Sequence, residues 1–209
     1  HIVLSIVVID TTPPSVGKVR DGEELSVDIE FSSETAEFAA SWNGFQDEES
    51  NIVYYTVDVF INGEESRSFN AGLQTIFKDF SMTFRQGDQV KTRVNAKNGA
   101  GLVTSSTSSG FIIDLSPPVV QYVYSSKGRR KYQTDDSILS LAWLFIDPES
   151  GIKSYRYRIY DSFQGMKTLI SKEFTTNKTS LDFPLNMSKG HSYSVKVTAI
   201  NNANMPISQ

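Results

Sequence analysis

The sequence predicts an all-β chain made of two tandem antiparallel β-sandwiches, and three observations carry that prediction. The phrase "SIVVIDTTPP" near the start returns half-way along as "SGFIIDLSPP", so that Asp10 and Pro13-Pro14 are matched 104 positions later by Asp114 and Pro117-Pro118. Further landmarks repeat at offsets between 100 and 104: Trp42 with Trp143, Asp47 with Asp147, Ser50 with Ser150, Ile52 with Ile152, Tyr55 with Tyr155, and Ala96 and Asn98 with Ala199 and Asn201. Within each copy, apolar and polar residues alternate with a period of two, and no stretch holds a helical period over three turns.

Composition allows this architecture. The chain has 209 residues, enough for one large or two small cores, with 39% hydrophobic and 21% charged residues, which is a folding composition rather than a disordered one. Aromatics at 11%, with recurrent Val, Ile, Thr and Tyr, favour strands. The net charge of −4 gives no general attraction to nucleic acid or anionic membrane. There is no cysteine, so disulfides and Cys-ligated zinc are excluded while the compartment stays open.

Taken in order, residues 1–10 ("HIVLSIVVID") read as a β-strand. The apolar run is short, lacks a basic leader and ends in Asp10, so neither a signal peptide nor a membrane span fits. It is expected to be the last strand or linker of a preceding domain. Residues 11–114 form the first sandwich. In "VYYTVDVFI" the alternation marks a half-buried strand, and residues 110–114 ("GFIID") are expected to be the last strand. Pro117-Pro118 then fixes φ, removes two N–H donors and makes a stiff joint. Residues 115–209 form the second sandwich, where "YSVKVTAI" sets Tyr193, Val195, Val197 and Ala199 on one face. This copy stops at "NNANMPISQ", where the first continues through "SSTSSGFIID", so its last strand is expected to be missing.

These landmarks resemble the fibronectin type III domain, twice over. That family carries a Trp on its second strand, a turn rich in Asp, an apolar residue and a Tyr on the third strand, a Leu-x-x-Gly-x-x-Tyr corner and a Val-x-Ala-x-Asn phrase. Here stand Trp42 and Trp143, Asp47 and Asp147, Ile52 with Tyr55, Ile152 with Tyr155, and Val94-Asn95-Ala96-Lys97-Asn98 with Val197-Thr198-Ala199-Ile200-Asn201. The second copy keeps the corner in Leu185, Gly190 and Tyr193, whereas the first has Met82, Gly87 and Val90. The resemblance implies two tandem seven-stranded sandwiches of the fibronectin type III or immunoglobulin-like kind, with each Trp between the sheets. It is similar to repeats of extracellular adhesive proteins, and it says little about function because the fold hosts many roles.

The residues give little support for catalysis. With two histidines, His1 and a turn residue His191 expected to be solvent-exposed, and no cysteine, a Ser-His-Asp or Cys-His nucleophile has no basis. The carboxylates of Asp21, Glu23 and Glu24 read as a solvated loop. The chain is expected not to be an enzyme. Asp47 with Glu49 and Asp147 with Glu149, in the loops "DEES" and "DPES", are the candidate calcium ligands. A turn in which Asp and Ser bond their own backbone is the preferred reading, and no other cofactor is expected. Lys127, Arg129, Arg130 and Lys131 form a basic cluster suited to an acidic or glycan partner, against a plain solvated loop. Asn177 and Asn186 head two N-glycosylation sequons, compatible with a secreted or cell-surface protein.

The expected function is a non-catalytic extracellular adhesion or assembly module, or a rigid spacer, within a longer repeat-containing protein. The alternatives are an accessory region of a secreted multidomain enzyme and a glycan-binding surface domain. Expected partners are other protein chains or neighbouring repeats, with no nucleic acid and no membrane insertion. Homo-oligomers by strand exchange are also expected: Ile6, Val7, Val8 and Ile9 would add to the open edge of the second copy, against simple packing of that segment on the first.

Overall fold

The structure, a computed structural model, describes residues 7–125 and 132–209. The chain divides into two compact units, residues 1–114 and 115–209. Every element of the described residues is a strand or turn, and no helix among them is long and apolar enough to cross a membrane.

In unit 1 a three-stranded sheet, ordered β1–β3–β6, is formed by β1 (Lys18–Asp21), β3 (Phe38–Asn43) and β6 (Ile76–Asp79). The second sheet is ordered β2–β9–β7–β4–β5, from β2 (Phe31–Ser32), β9 (Phe111–Ile113), β7 (Gln89–Asn98), β4 (Ile52–Ile61) and β5 (Glu64–Gly72). An additional strand, β8 (Val103–Thr107), also pairs with β7. The period-two reading holds closely on β7, where Val90, Thr92, Val94, Ala96 and Asn98 turn inward and the intervening residues outward. Trp42 on β3 is fully buried and meets Tyr55 on β4 edge-on, with ring centroids 5.5 Å apart, which joins the two sheets through the core.

In unit 2, β10 (Val119–Tyr124), β11 (Ile138–Ile146) and β15 (Ser180–Pro184) form the three-stranded sheet. The other is ordered β13–β12–β16–β17, from β13 (Met166–Leu169), β12 (Ile152–Phe163), β16 (Ser192–Asn201) and β17 (Pro206–Ser208), with β14 (Phe174–Thr176) also on β12. Trp143 lies with Tyr155 and Tyr157, 5.8 and 5.6 Å between centroids, inside a core that includes Leu139, Leu141 and Val197. The tyrosine corner is made here: the Tyr193 hydroxyl accepts the Ser188 N–H at 2.9 Å. In unit 1 the same place is filled by Val90, fully buried, without a phenol.

Unit 2 holds one short strand that the sequence pattern does not mark. Residues Pro206–Ser208 form β17, pairing Ile207 with Ala199, because Ile207 supplies the inward apolar side chain. Unit 1 carries its last strand in two pieces, β8 and β9, and β17 corresponds to β8. No described residue of unit 2 takes the place of β9.

Candidate functional site

Each unit has a polar node at the end of its longest inner strand, built around the Asn of the Val-x-Ala-x-Asn phrase. Asn98, on β7 and only 1% exposed, donates through Nδ2 to Asp10 Oδ2 at 2.8 Å, to Asp47 Oδ2 at 2.9 Å and to the Thr12 carbonyl at 3.0 Å. Its Oδ1 accepts the Leu102 N–H at 2.8 Å. Asn201 repeats the arrangement on β16, donating to Asp147 Oδ2 and the Ser116 carbonyl, each at 3.0 Å, and accepting from the Met205 N–H at 2.7 Å. A single side chain thus ties three things together: the segment entering the unit, the Asp-x-x-Ser turn and the closing hairpin. Sequence reasoning saw Asn98 and Asn201 only as repeat markers.

The acidic loops take the turn geometry. Asp47 accepts the Ser50 N–H at 2.8 Å, and Asp147 accepts the Ser150 N–H at 2.8 Å. The Asn98 amide and the Ser50 N–H hold the Asp47 carboxyl below its ordinary pKa. Glu49 lies beside them: one carboxylate oxygen from each of Asp10, Asp47 and Glu49 falls within 4.8 Å of the others. Oxygen donors so close suit a hard cation in kind, but Asp10 and Asp47 already accept hydrogen bonds. Glu149 is exposed in the equivalent loop of unit 2.

Other predicted residues are scattered. Lys127, Arg129, Arg130, Lys131 and Ile6 lie outside the described residues. Asn177 and Asn186 are both exposed, in the turn after β14 and the segment after β15. His191 is not the free turn residue expected: its Nδ1 lies 2.9 Å from Asp161 Oδ2, and its ring stacks on Phe163 at 4.3 Å. The loop reading of Asp21 is also overturned. Asp21 ends β1, is fully buried, and accepts hydrogen bonds from Ser108 Oγ (2.8 Å), Thr92 Oγ1 (3.3 Å) and the Gly110 N–H (2.8 Å). Desolvation outweighs those donors and pushes its pKa up to about 6. Its partners lie far along the chain, so no local pattern signals them. Nearby, Glu23, Glu24, Glu34 and Glu37 line a hollow of about 420 Å³ together with Val27 and Ile29, and Glu23 pairs with Lys78.

Two further features lie at the surface of the units. Val7, Val8 and Ile9 stand 77%, 66% and 77% exposed, an unshielded aliphatic row just before Asp10. In unit 2, an open groove of about 540 Å³ runs beside β16, lined by residues that include Val120, Tyr122, Val123, Ser194 and Val195. The outer edge of β16 is covered from Thr198 to Ile200 by β17, with Val197 exchanging two hydrogen bonds with Gln209. From Ser192 to Lys196 no described strand pairs with that edge, and the Tyr193 carbonyl accepts the Ser125 hydroxyl at 3.3 Å.

Comparison with known proteins bears on the fold. No protein-family model matches the sequence, and no curated protein matches it. Among solved structures, the chain is similar to the fibronectin(III)-like modules of Clostridium thermocellum CbhA, at 13% identity and TM-score 0.51, over 91% of both chains. It is also similar to domains A168–A170 of titin, at 14% identity and TM-score 0.52, over 92% of this chain and 64% of that one. The fold is that of tandem fibronectin type III modules.

Proposed function

We propose that this tandem fibronectin type III fold serves as a non-catalytic adhesion and assembly module, making protein–protein contact through its sheet edges and loops. The observation that carries the reading is the tandem fibronectin type III fold itself, whose polar clusters at Asn98, Asn201 and Asp21 are engaged in hydrogen bonds that hold each unit together. The polar groups do the work of holding the fold: Asn98 and Asn201 fasten the ends of each unit, Asp21 fastens β1 to the segment before β9, and Asp161 is bound to His191. The exposed Asn177 and Asn186 sequons suit an extracellular or cell-surface setting with glycans at both positions.

Beads carrying the chain test this reading. They are expected to adhere to one another, or to a layer of cells, well above beads carrying albumin. Beads that stay dispersed and unattached would contradict it.

A further inference from the structure

We infer that the outward face of β12 and β16 in unit 2 binds a sulfated polysaccharide chain. The inference concerns a partner other than protein, and it starts from one pair of facing residues. In unit 1, Tyr55 pairs with Ala96, and three residues further along the ladder Asp58 faces Arg93. In unit 2, Tyr155 pairs with Ala199 in the same way, and the equivalent facing pair is Arg158 and Lys196. Asp58 accepts from Arg93 Nε at 3.0 Å and from Nη2 at 2.8 Å, so unit 1 neutralises this place within its own sheet. Unit 2 sets two cations there. Like charges directly opposite, with Cβ atoms about 5 Å apart, repel each other and weaken a sheet. An anion laid across them removes that repulsion.

More positive charge surrounds the pair. Tyr155, Tyr157 and Ile159 are buried, so the alternation along β12 sends Arg156, Arg158 and Tyr160 to the outer face. Lys167 on β13 reaches the same face, its Nζ 4.5 Å from the centre of the Tyr160 ring. Among the described residues one carboxylate answers these cations: Glu173, 3.1 Å from Arg158 Nε and 3.5 Å from Arg156 Nη1. Lys167 and Lys196 are exposed and join no ion pair among the described residues. Each guanidinium keeps further N–H donors for bidentate contact with sulfate oxygens.

The make-up of the face selects among polyanions. Arg156, Arg158, Ser194, Lys196 and Thr198 form its centre, with no large apolar side chain there to anchor a protein. The Tyr160 ring has Lys167 over it, so it offers no open platform for a nucleobase. Arg156 and Arg158 stand about 7 Å apart along the strand, a row of cations that suits sulfates fixed along an extended sugar chain. Because the whole chain carries a net charge of −4, the attraction is local and falls steeply with salt.

Heparin is the probe, titrated into the full chain at low salt. The wild type is expected to bind, and Arg158→Ala with Lys196→Ala to bind at least about tenfold more weakly. Removing two opposed cations is expected to leave the melting temperature unchanged or raised, so that lost binding reads the face and not the fold. Alanine at Lys127, Arg129, Arg130 and Lys131, the basic cluster outside the described residues, is expected to weaken binding far less. A wild type that ignores heparin, a double variant that binds it as the wild type does, or polyglutamate bound as tightly as heparin would overturn the inference.

Discussion

Asp21 is the residue whose chemistry reaches furthest through unit 1. It joins β1 to Thr92 on β7 and to Ser108 and Gly110, which lead into β9, and so holds the last strand against the first. Burial with Asp28 nearby outweighs those donors and raises its pKa from 3.8 to about 6. The folded chain therefore binds this proton more tightly than the unfolded one. The associated stability is full below about pH 4 and is lost as pH rises through about 6, on the order of 3 kcal/mol in all. We expect unit 1 to melt at a higher temperature at pH 4.5 than Asp21→Asn does relative to the two proteins at pH 7. Thermal denaturation of both at the two pH values checks it, and parallel pH dependence would argue against the assignment. Nothing local could have revealed this. "RDGEEL" reads as a solvated loop, and the three partners lie between 71 and 89 positions away.

At the scale of elements, the Asn nodes close β7 and β16. Asn98→Ala would leave Asp10, Asp47 and the Leu102 N–H each short of a partner. A loss of about 1–3 kcal/mol is expected. Asn98→Asp should cost more at neutral pH, because it sets a third carboxylate between Asp10 and Asp47. Chemical denaturation of both variants measures the difference, and an Asp variant as stable as the Ala one would count against the clamp. Alternation made β4, β12 and β16 legible in the sequence, because apolar and polar residues broadly alternate along each. The Trp and Tyr landmarks likewise marked the two cores and the Tyr193 corner. The division of the last strand into β8 and β9 was not legible. It is imposed at Gly110, where φ is +89° and a Cβ would meet the Val90 carbonyl oxygen at 2.8 Å, a tertiary contact rather than a pattern. The two-residue parallel pairing of β2 with β9 is too short to leave a periodic signal, and β17 rests on one apolar residue, Ile207.

For the whole molecule, the repeat read from the sequence recurs as two sandwiches with matching nodes. In unit 1 the buried side chains of Phe111 and Ile113 on β9 lie by the start of β7. The repeat was legible because its landmarks recur at a near-constant spacing, whereas the hydrogen bonds that make each node emerge only when the sheets are assembled. The measurement that tests the adhesion reading most directly is attachment of beads carrying the full chain. Attachment to one another or to a cell layer, well above that of albumin-coated beads, is expected, and beads that stay dispersed and unattached would contradict the account.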